Sequence, residues 1–204
     1  MFTGIVQETG EVVEVAEHGT NRDLVVRAAM ATQLRVDQSV AHNGVCLTVV
    51  AVPPAGGLSA GCFRVTAVEE TLQRSNLGLL RAGSVVNLER SMRLGDPVDG
   101  HLVQGHVDTQ VRCLGVEERG GSWWFTFTLP AQVELLVEKG SICLNGVSLT
   151  IAALGADSFS VAVIPYTFDH TTFRTMRPGD AVNVEFDVLG KYVARMLATR
   201  TPTP

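Results

Sequence analysis

The chain repeats itself, and that constrains its fold more than any other feature. Ser39-Val40-Ala41-His42-Asn43-Gly44-Val45-Cys46-Leu47-Thr48-Val49 returns as Ser141-Ile142-Cys143-Leu144-Asn145-Gly146-Val147-Ser148-Leu149-Thr150-Ile151, at an offset of 102 residues. Six of these eleven pairs are identical and two more are Val/Ile exchanges. A second block, Glu70-Thr71-Leu72 followed by Leu80 to Glu89, matches Tyr166-Thr167-Phe168 followed by Met176 to Glu185, at an offset of 96. A weaker third match sets Gly4-Ile5-Val6 against Gly105-His106-Val107, at an offset of 101. The matches keep their order, and the offsets drift only as loop insertions would make them. This is an internal duplication. It predicts an N-terminal domain over 1–95, a C-terminal domain over 96–188 and a tail over 189–204, with the junction near Gly95-Asp96-Pro97. A chain of 204 residues accommodates two such small domains.

Both halves read as β-structure. Val45, Leu47 and Val49 alternate with Cys46, Thr48 and Val50, and Val147, Leu149 and Ile151 alternate with Ser148, Thr150 and Ala152. Trp123-Phe125-Phe127, Phe159-Val161-Val163 and Val182-Val184-Phe186 keep the same period of two. Such alternation marks strands with one buried face. Asn43-Gly44 and Asn145-Gly146 are tight-turn dipeptides beside those strands. Short strands closing into a small barrel leave no exposed edge. The spacing of Val133, Leu136 and Val137 predicts a short helix over Pro130–Glu138, ended by Lys139-Gly140. Leu189, Tyr192, Val193, Met196 and Leu197 predict an amphipathic helix over Leu189–Ala198, available for oligomerisation.

Composition narrows the function. A net charge of −5, a predicted pI near 5.5 and no cluster of Lys and Arg argue against a nucleic-acid partner. No apolar run has the length of a membrane span, and the N-terminus lacks a charged n-region and an apolar h-region, so a cytoplasmic protein is expected. Cys46, Cys62, Cys113 and Cys143 include no Cys-x-x-Cys pair and are expected as free thiols. The scattered histidines give no metal-ligand spacing, so no metal is expected.

Taken along its whole length, the chain resembles the riboflavin synthase family. The resemblance rests on Met1-Phe2-Thr3-Gly4-Ile5-Val6, Asn43 to Val49 and Gly100-His101-Leu102-Val103-Gln104-Gly105-His106-Val107-Asp108. It continues through Lys139-Gly140-Ser141, Asn145 to Thr150, Ile164-Pro165-Tyr166-Thr167 and Phe186 to Leu197. It implies an all-β fold of two tandem six-stranded antiparallel Greek-key barrels and a C-terminal helix that builds a homotrimer, with active sites between barrels of neighbouring chains. It also implies no cofactor. The implied reaction is a dismutation of two 6,7-dimethyl-8-ribityllumazine molecules by four-carbon transfer, giving riboflavin and 5-amino-6-(D-ribitylamino)uracil. Association with lumazine synthase is a further partner that the resemblance raises.

A reaction between two copies of one molecule needs two similar pockets with different chemistry, and the internal alignment shows where the halves differ. Cys46 stands opposite Ser148, Ile5 opposite His106, Asp37 opposite Lys139 and Glu70 opposite Tyr166, while Thr48 and Thr150 match. The resemblance makes Ser148, His106, Cys46, Lys139 and Thr150 the candidate catalytic residues. His106, Ser148, Lys139 and Thr150 are expected to serve one ligand in the C-terminal half. In the N-terminal half the implied binding residues are Cys46-Leu47-Thr48 and Thr66-Ala67-Val68-Glu69-Glu70-Thr71. In the C-terminal half they are Lys139, Ser148-Leu149-Thr150 and Ala162-Val163-Ile164-Pro165-Tyr166-Thr167. Gly4-Ile5-Val6 and Gly105-His106-Val107 would lie against the rings. Backbone N–H and C=O groups of 66–71 and 162–167, taken as extended, would pair with the pteridine-dione edge. Family members commonly carry Asp where this chain has Asn145; an amide keeps hydrogen bonding and takes up no proton.

Two other functions compete. One is a non-catalytic lumazine- or flavin-binding antenna protein, which would have no use for that set of polar residues. The other is the flavin barrel of an oxidoreductase, which would call for a Gly-x-Gly-x-x-Gly nicotinamide domain that this sequence lacks.

Overall fold

Period-two patterning becomes twelve strands in the computed structural model, which describes residues 1–199. The first six are β1 (Glu8–His18), β2 (Asn21–Arg27), β3 (Ser39–His42), β4 (Val45–Ala51), β5 (Cys62–Ala67) and β6 (Val85–Arg90). The second six are β7 (Thr109–Arg119), β8 (Ser122–Thr128), β9 (Ser141–Leu144), β10 (Val147–Leu154), β11 (Ser158–Val163) and β12 (Ala181–Phe186). They close into two barrels, ordered β1-β2-β5-β4-β3-β6 and β10-β11-β8-β7-β12-β9, with every pair antiparallel. Inward positions make two separate cores. Leu24, Val26, Leu47, Val49, Phe63 and Val65 fill the first, and Phe125, Phe127, Phe159, Phe173 and Phe186 dominate the second.

The duplication extends to backbone detail. Asn43 and Asn145 have φ of 46° and 47°, and Gly44 and Gly146 have 80° and 81°. These are the left-handed pairs that a two-residue hairpin turn requires. The two turns pack on each other: a Cβ on Gly44 would lie 2.8 Å from Gly146 N, so neither glycine has room for a side chain. Around them five buried asparagines join the barrels. Asn183 Nδ2 donates to Asn43 O (2.8 Å), Asn87 Nδ2 to Asn145 O (2.8 Å) and Asn76 Nδ2 to Asn145 Oδ1 (3.0 Å). Asn145 Oδ1 also accepts from Asn183 N at 2.8 Å. Asn145 is thus committed to the seam between barrels, where an unmet polar group would be costly.

The leading segments of the two halves cross over. Phe2 and Val103 pair with each other between the barrels. Glu89 on β6 accepts from Thr3 N (2.7 Å) and Gly4 N (3.1 Å). Glu185 on β12 accepts from Gln104 N, Gly105 N and His106 N (2.6–2.9 Å). Burial raises both carboxyl pKa values in spite of these N–H bonds. Each segment is therefore anchored on its own barrel's last strand, but its glycine carbonyl turns to the other barrel. Ser148 N donates to Gly4 O (2.7 Å) and Cys46 N to Gly105 O (2.8 Å).

Two short helices follow β5 and β11: α1 (Glu69–Arg74) and α2 (Pro165–His170). The last element, α3 (Val188–Ala198), agrees with the expected tail helix; residues 200–204 of the tail assigned to 189–204 lie outside the described residues. The helix expected over Pro130–Glu138 is reduced to one 3₁₀ turn, Val133–Leu135. Only Leu136 of its apolar set is buried, Val133 and Val137 being exposed. One buried side chain does not offset the cost of nucleating a helix. Among the described residues no helix is long and apolar enough to cross a membrane. All four cysteines are free.

Candidate functional site

On each barrel the strand after the Asn-Gly turn meets the crossing segment from the other half, and on the first barrel α1 completes the rim. On the first barrel these parts enclose a cleft of about 330 Å³, at the small end of ligand pockets. Cys46, Glu70, Thr71, Arg74, Gly105, His106 and Asp108 line it. Gly105 has φ 82°, and a Cβ there would lie 2.6 Å from Cys46 Cβ; the close approach needs glycine. Asp108 also ties the cleft to α3 through Lys191 Nζ (3.0 Å) and to β12 through Phe186 N (2.9 Å).

On the second barrel, Ser148 takes the position of Cys46. Val147 and Ile151 are buried, and Ser148 and Thr150 face outward between them. Gly4, φ 76°, lies against Ser148 as Gly105 lies against Cys46. Lys139, φ 68°, is exposed beside the middle of this strand, its amide bonded to Ile151 O (2.9 Å). His101 Nδ1 stands 2.7 Å from Ser148 Oγ. Burial lowers the His101 pKa, against the pull of the nearby Asp187 carboxylate.

Crossing of the segments overturns one expected grouping. Sequence alignment assigned His106 to the C-terminal half with Ser148, Lys139 and Thr150. The fold instead carries His106 to the first barrel's cleft, beside Cys46, while Gly4 and Val6, the neighbours of Ile5, meet the second barrel. The expected extended segments are also corrected. Only Thr66-Ala67-Val68 and Ala162-Val163-Ile164 are extended; Glu69-Glu70-Thr71 and Pro165-Tyr166-Thr167 begin α1 and α2. A first helical turn still leaves N–H groups without helical partners. Thr66 Oγ1 is engaged with Asp23 Oδ1 (2.6 Å). Leu47 and Val107 are core residues, and Leu149 packs partly against the second core.

The short helices differ in kind. On α1, Glu70 pairs with Arg74 one turn on. On α2 the matching residues, Tyr166 and His170, stack with ring centroids 4.1 Å apart. Sequence reasoning missed His101, Arg74 and Asp108. Arg74 lies between the two matched stretches, opposite His170 at the same offset of 96, where neither stretch draws attention to it; His101 precedes the third match, so the alignment gives it no partner to contrast. Among the described residues no group of three or more metal-type side chains converges.

Comparison with known proteins assigns this paired-rim architecture. The model of the lumazine binding domain matches twice, at residues 3–91 and 104–187, once for each barrel. The chain belongs to the lumazine-binding family. Among the members similar to it, riboflavin synthase of Mycobacterium tuberculosis is 44% identical over 211 residues, covering 97% of this chain and 98% of that protein. Riboflavin synthase of Bacillus amyloliquefaciens is 40% identical over 199 residues, covering 97% and 90%. The fold is also that of LumP, solved with 6,7-dimethyl-8-(1'-D-ribityl) lumazine, at a TM-score of 0.80 and 21% identity, covering 91% of this chain and 98% of that one. LumP with riboflavin gives a TM-score of 0.82. Two matched lumazine-binding units and two crossed rims describe the same duplication.

Proposed function

We propose that this chain catalyses riboflavin formation by dismutation of two 6,7-dimethyl-8-ribityllumazine molecules. One molecule gives a four-carbon unit to the other, and 5-amino-6-(D-ribitylamino)uracil is the second product. The observation that carries this reading is one backbone frame presenting different reactive side chains: Cys46 and His106 at one rim, Ser148 and Thr150 at the other. Two copies of one molecule are then held alike and treated differently. High identity to riboflavin synthases over nearly the whole chain supports the same reading.

The cleft beside Cys46 has room for one ligand, and Ser148 and Thr150 do not line it. The two rims therefore meet in an assembly, the first barrel of one chain against the second barrel of its neighbour. α3 suits that assembly: Leu189, Tyr192, Val193, Met196 and Leu197 are each more than half exposed, and the helix is fastened to the cleft through Lys191 and Asp108. We take the assembly to be the family's homotrimer. Across two apposed lumazines, His106 and Cys46 of one chain then face Ser148, Thr150 and Lys139 of the next. These groups orient the rings and move the proton that the C7 methyl of one lumazine must lose, while the other lumazine is held as electrophile.

Incubation with 6,7-dimethyl-8-ribityllumazine tests the proposal. Growth of flavin absorption with loss of lumazine is the expected result. Stable lumazine fluorescence with no flavin would make this chain a binder like LumP.

A further inference from the structure

Among the described residues, His101 is the one histidine whose ring is hydrogen-bonded to a side chain of a proposed reactive rim. The residue is buried, at 8% exposure, and lies in the segment between the barrels rather than in either strand frame. The backbone around it is fixed on three sides. His101 N donates to Thr3 O (3.1 Å), Thr3 N donates to Glu89 Oε1 (2.7 Å), and the neighbouring Gly100 is so close that a Cβ would fall 2.1 Å from Thr3 O and 2.9 Å from Ser148 Oγ. Ser148 is thereby held twice. Its amide is bonded to Gly4 O, and its hydroxyl is within 2.7 Å of an imidazole that has little freedom to move.

A serine hydroxyl on a strand otherwise samples three rotamers. Bonded to a fixed imidazole it keeps one, and its remaining donor or acceptor capacity points where a ligand meets the rim. Nε2 of the same ring has no hydrogen-bond partner among the described residues, so Nδ1 is its one polar anchor. The first rim is built otherwise. Cys46 has the matching amide bond to Gly105 O, and among the described residues no side chain hydrogen-bonds its thiol.

We propose that His101 is a positioning residue for the second rim, holding the Ser148 hydroxyl in the single orientation that acts on the bound lumazine. This rests on the dismutation reading above. It assigns His101 no contact with substrate; its effect passes wholly through Ser148.

A double-mutant cycle in kcat tests it, using the full chain and 6,7-dimethyl-8-ribityllumazine. His101→Ala is expected to lower kcat by roughly ten- to a hundredfold, the scale of a misplaced reactive group, with KM changed by less than about threefold. His101→Ala combined with Ser148→Ala is expected to be no slower than Ser148→Ala alone, because the second loss has nothing left to act through. His101→Asn, which keeps a polar atom near the Nδ1 position, is expected to recover most of kcat. If His101→Ala does not fold, His101→Leu restores the buried volume without the hydrogen bond and takes its place in the cycle. Multiplying losses in the double variant, full kcat in the single variant, or a KM effect as large as the kcat effect would each overturn the proposal. Absence of flavin formation by the wild-type chain would instead overturn the dismutation reading on which it stands.

Discussion

At the first rim Cys46 follows Asn43-Gly44 by two residues, its amide bonds Gly105 O, and His106 stands in the cleft beside it. At the second rim Ser148 follows Asn145-Gly146 at the same spacing, its amide bonds Gly4 O, and His101 holds its hydroxyl. The φ angles of the two turns agree to within a degree. The side chains are not: a thiol against a hydroxyl, an ion-paired helix against an aromatic stack. On the proposed function, duplication kept one frame for holding a lumazine and freed a handful of positions to divide the labour. Because each crossing segment serves the opposite barrel, the division is not between sequence halves but between spatial rims.

The largest expected effect comes from removing the proposed reactive group of one rim at a time. His106→Ala and Ser148→Ala are each expected to lower kcat by between ten- and ten-thousandfold, the range of general acid–base groups, with analogue affinity weakened much less. Cys46→Ser retains a hydrogen-bonding atom and is expected to lose less. Steady-state flavin formation beside calorimetric affinity for a non-reactive analogue separates the two quantities. Full kcat in both alanine variants would leave the rims as holders of substrate only.

Assembly is the next point at which the comparison can break. Replacing Met196 and Leu197 by polar residues is expected to shift sedimentation from trimer toward monomer, with activity falling in step, since neither rim then finds its counterpart. An unchanged trimer would place the contacts elsewhere.

The smallest effect distinguishes the barrels in stability. His42 is fully buried in the first barrel, its ring bonded to Val40 O, and desolvation lowers its pKa to about 4. The second barrel has Leu144 at the matching position, also fully buried. In the unfolded chain this imidazole takes up its proton near the ordinary value, so between those limits the unfolded state binds more protons. The resulting loss of stability is absent above about pH 6.5, grows as pH falls and is complete below about 4, where it amounts to on the order of 3 kcal/mol. Glu89 and Glu185, with raised pKa values, act in the opposite sense: their burial costs stability as pH rises past the ordinary carboxylate range, in both barrels alike. Denaturant titrations of His42→Leu beside wild type should therefore show the variant gaining relative stability as pH falls from 7 to 4. A pH-independent difference would contradict the assignment.

Much of the fold was legible because Asn-Gly turns and period-two strands are local signals, and the duplication supplied each of them twice. The 130–138 segment misled because three apolar residues at helical spacing carry no information about whether a core lies beneath them; only Leu136 finds one. Cys46, Glu70, Thr71, Gly105 and His106, which line the first cleft, could each be named from the sequence, but not their grouping. Whether His106 packs on its own barrel or the other depends on how the segments cross, and nothing local to Gly105-His106-Val107 encodes that. His101 was visible within Gly100 to Asp108 but lies outside every repeat match, so comparing the halves could not single it out. Asn145 became interpretable only with its partners: its carboxamide sits in the seam between barrels, donated to by Asn183 N and Asn76 Nδ2.

Subunit complementation tests most directly whether a complete site is made from two unlike rims of neighbouring chains. His106→Ala chains have a damaged first rim and an intact second rim; Ser148→Ala chains have the reverse. Each variant alone is expected to be nearly inactive. Co-expressed or co-refolded into mixed trimers, some interfaces pair an intact first rim with an intact second rim. Random mixing in equal amounts makes that about a quarter of interfaces, so the expected rate is roughly a quarter of wild type, far above either parent. A mixture no more active than its parents, with mixed trimers confirmed by mass, would show that both rims must belong to one chain and would contradict the account.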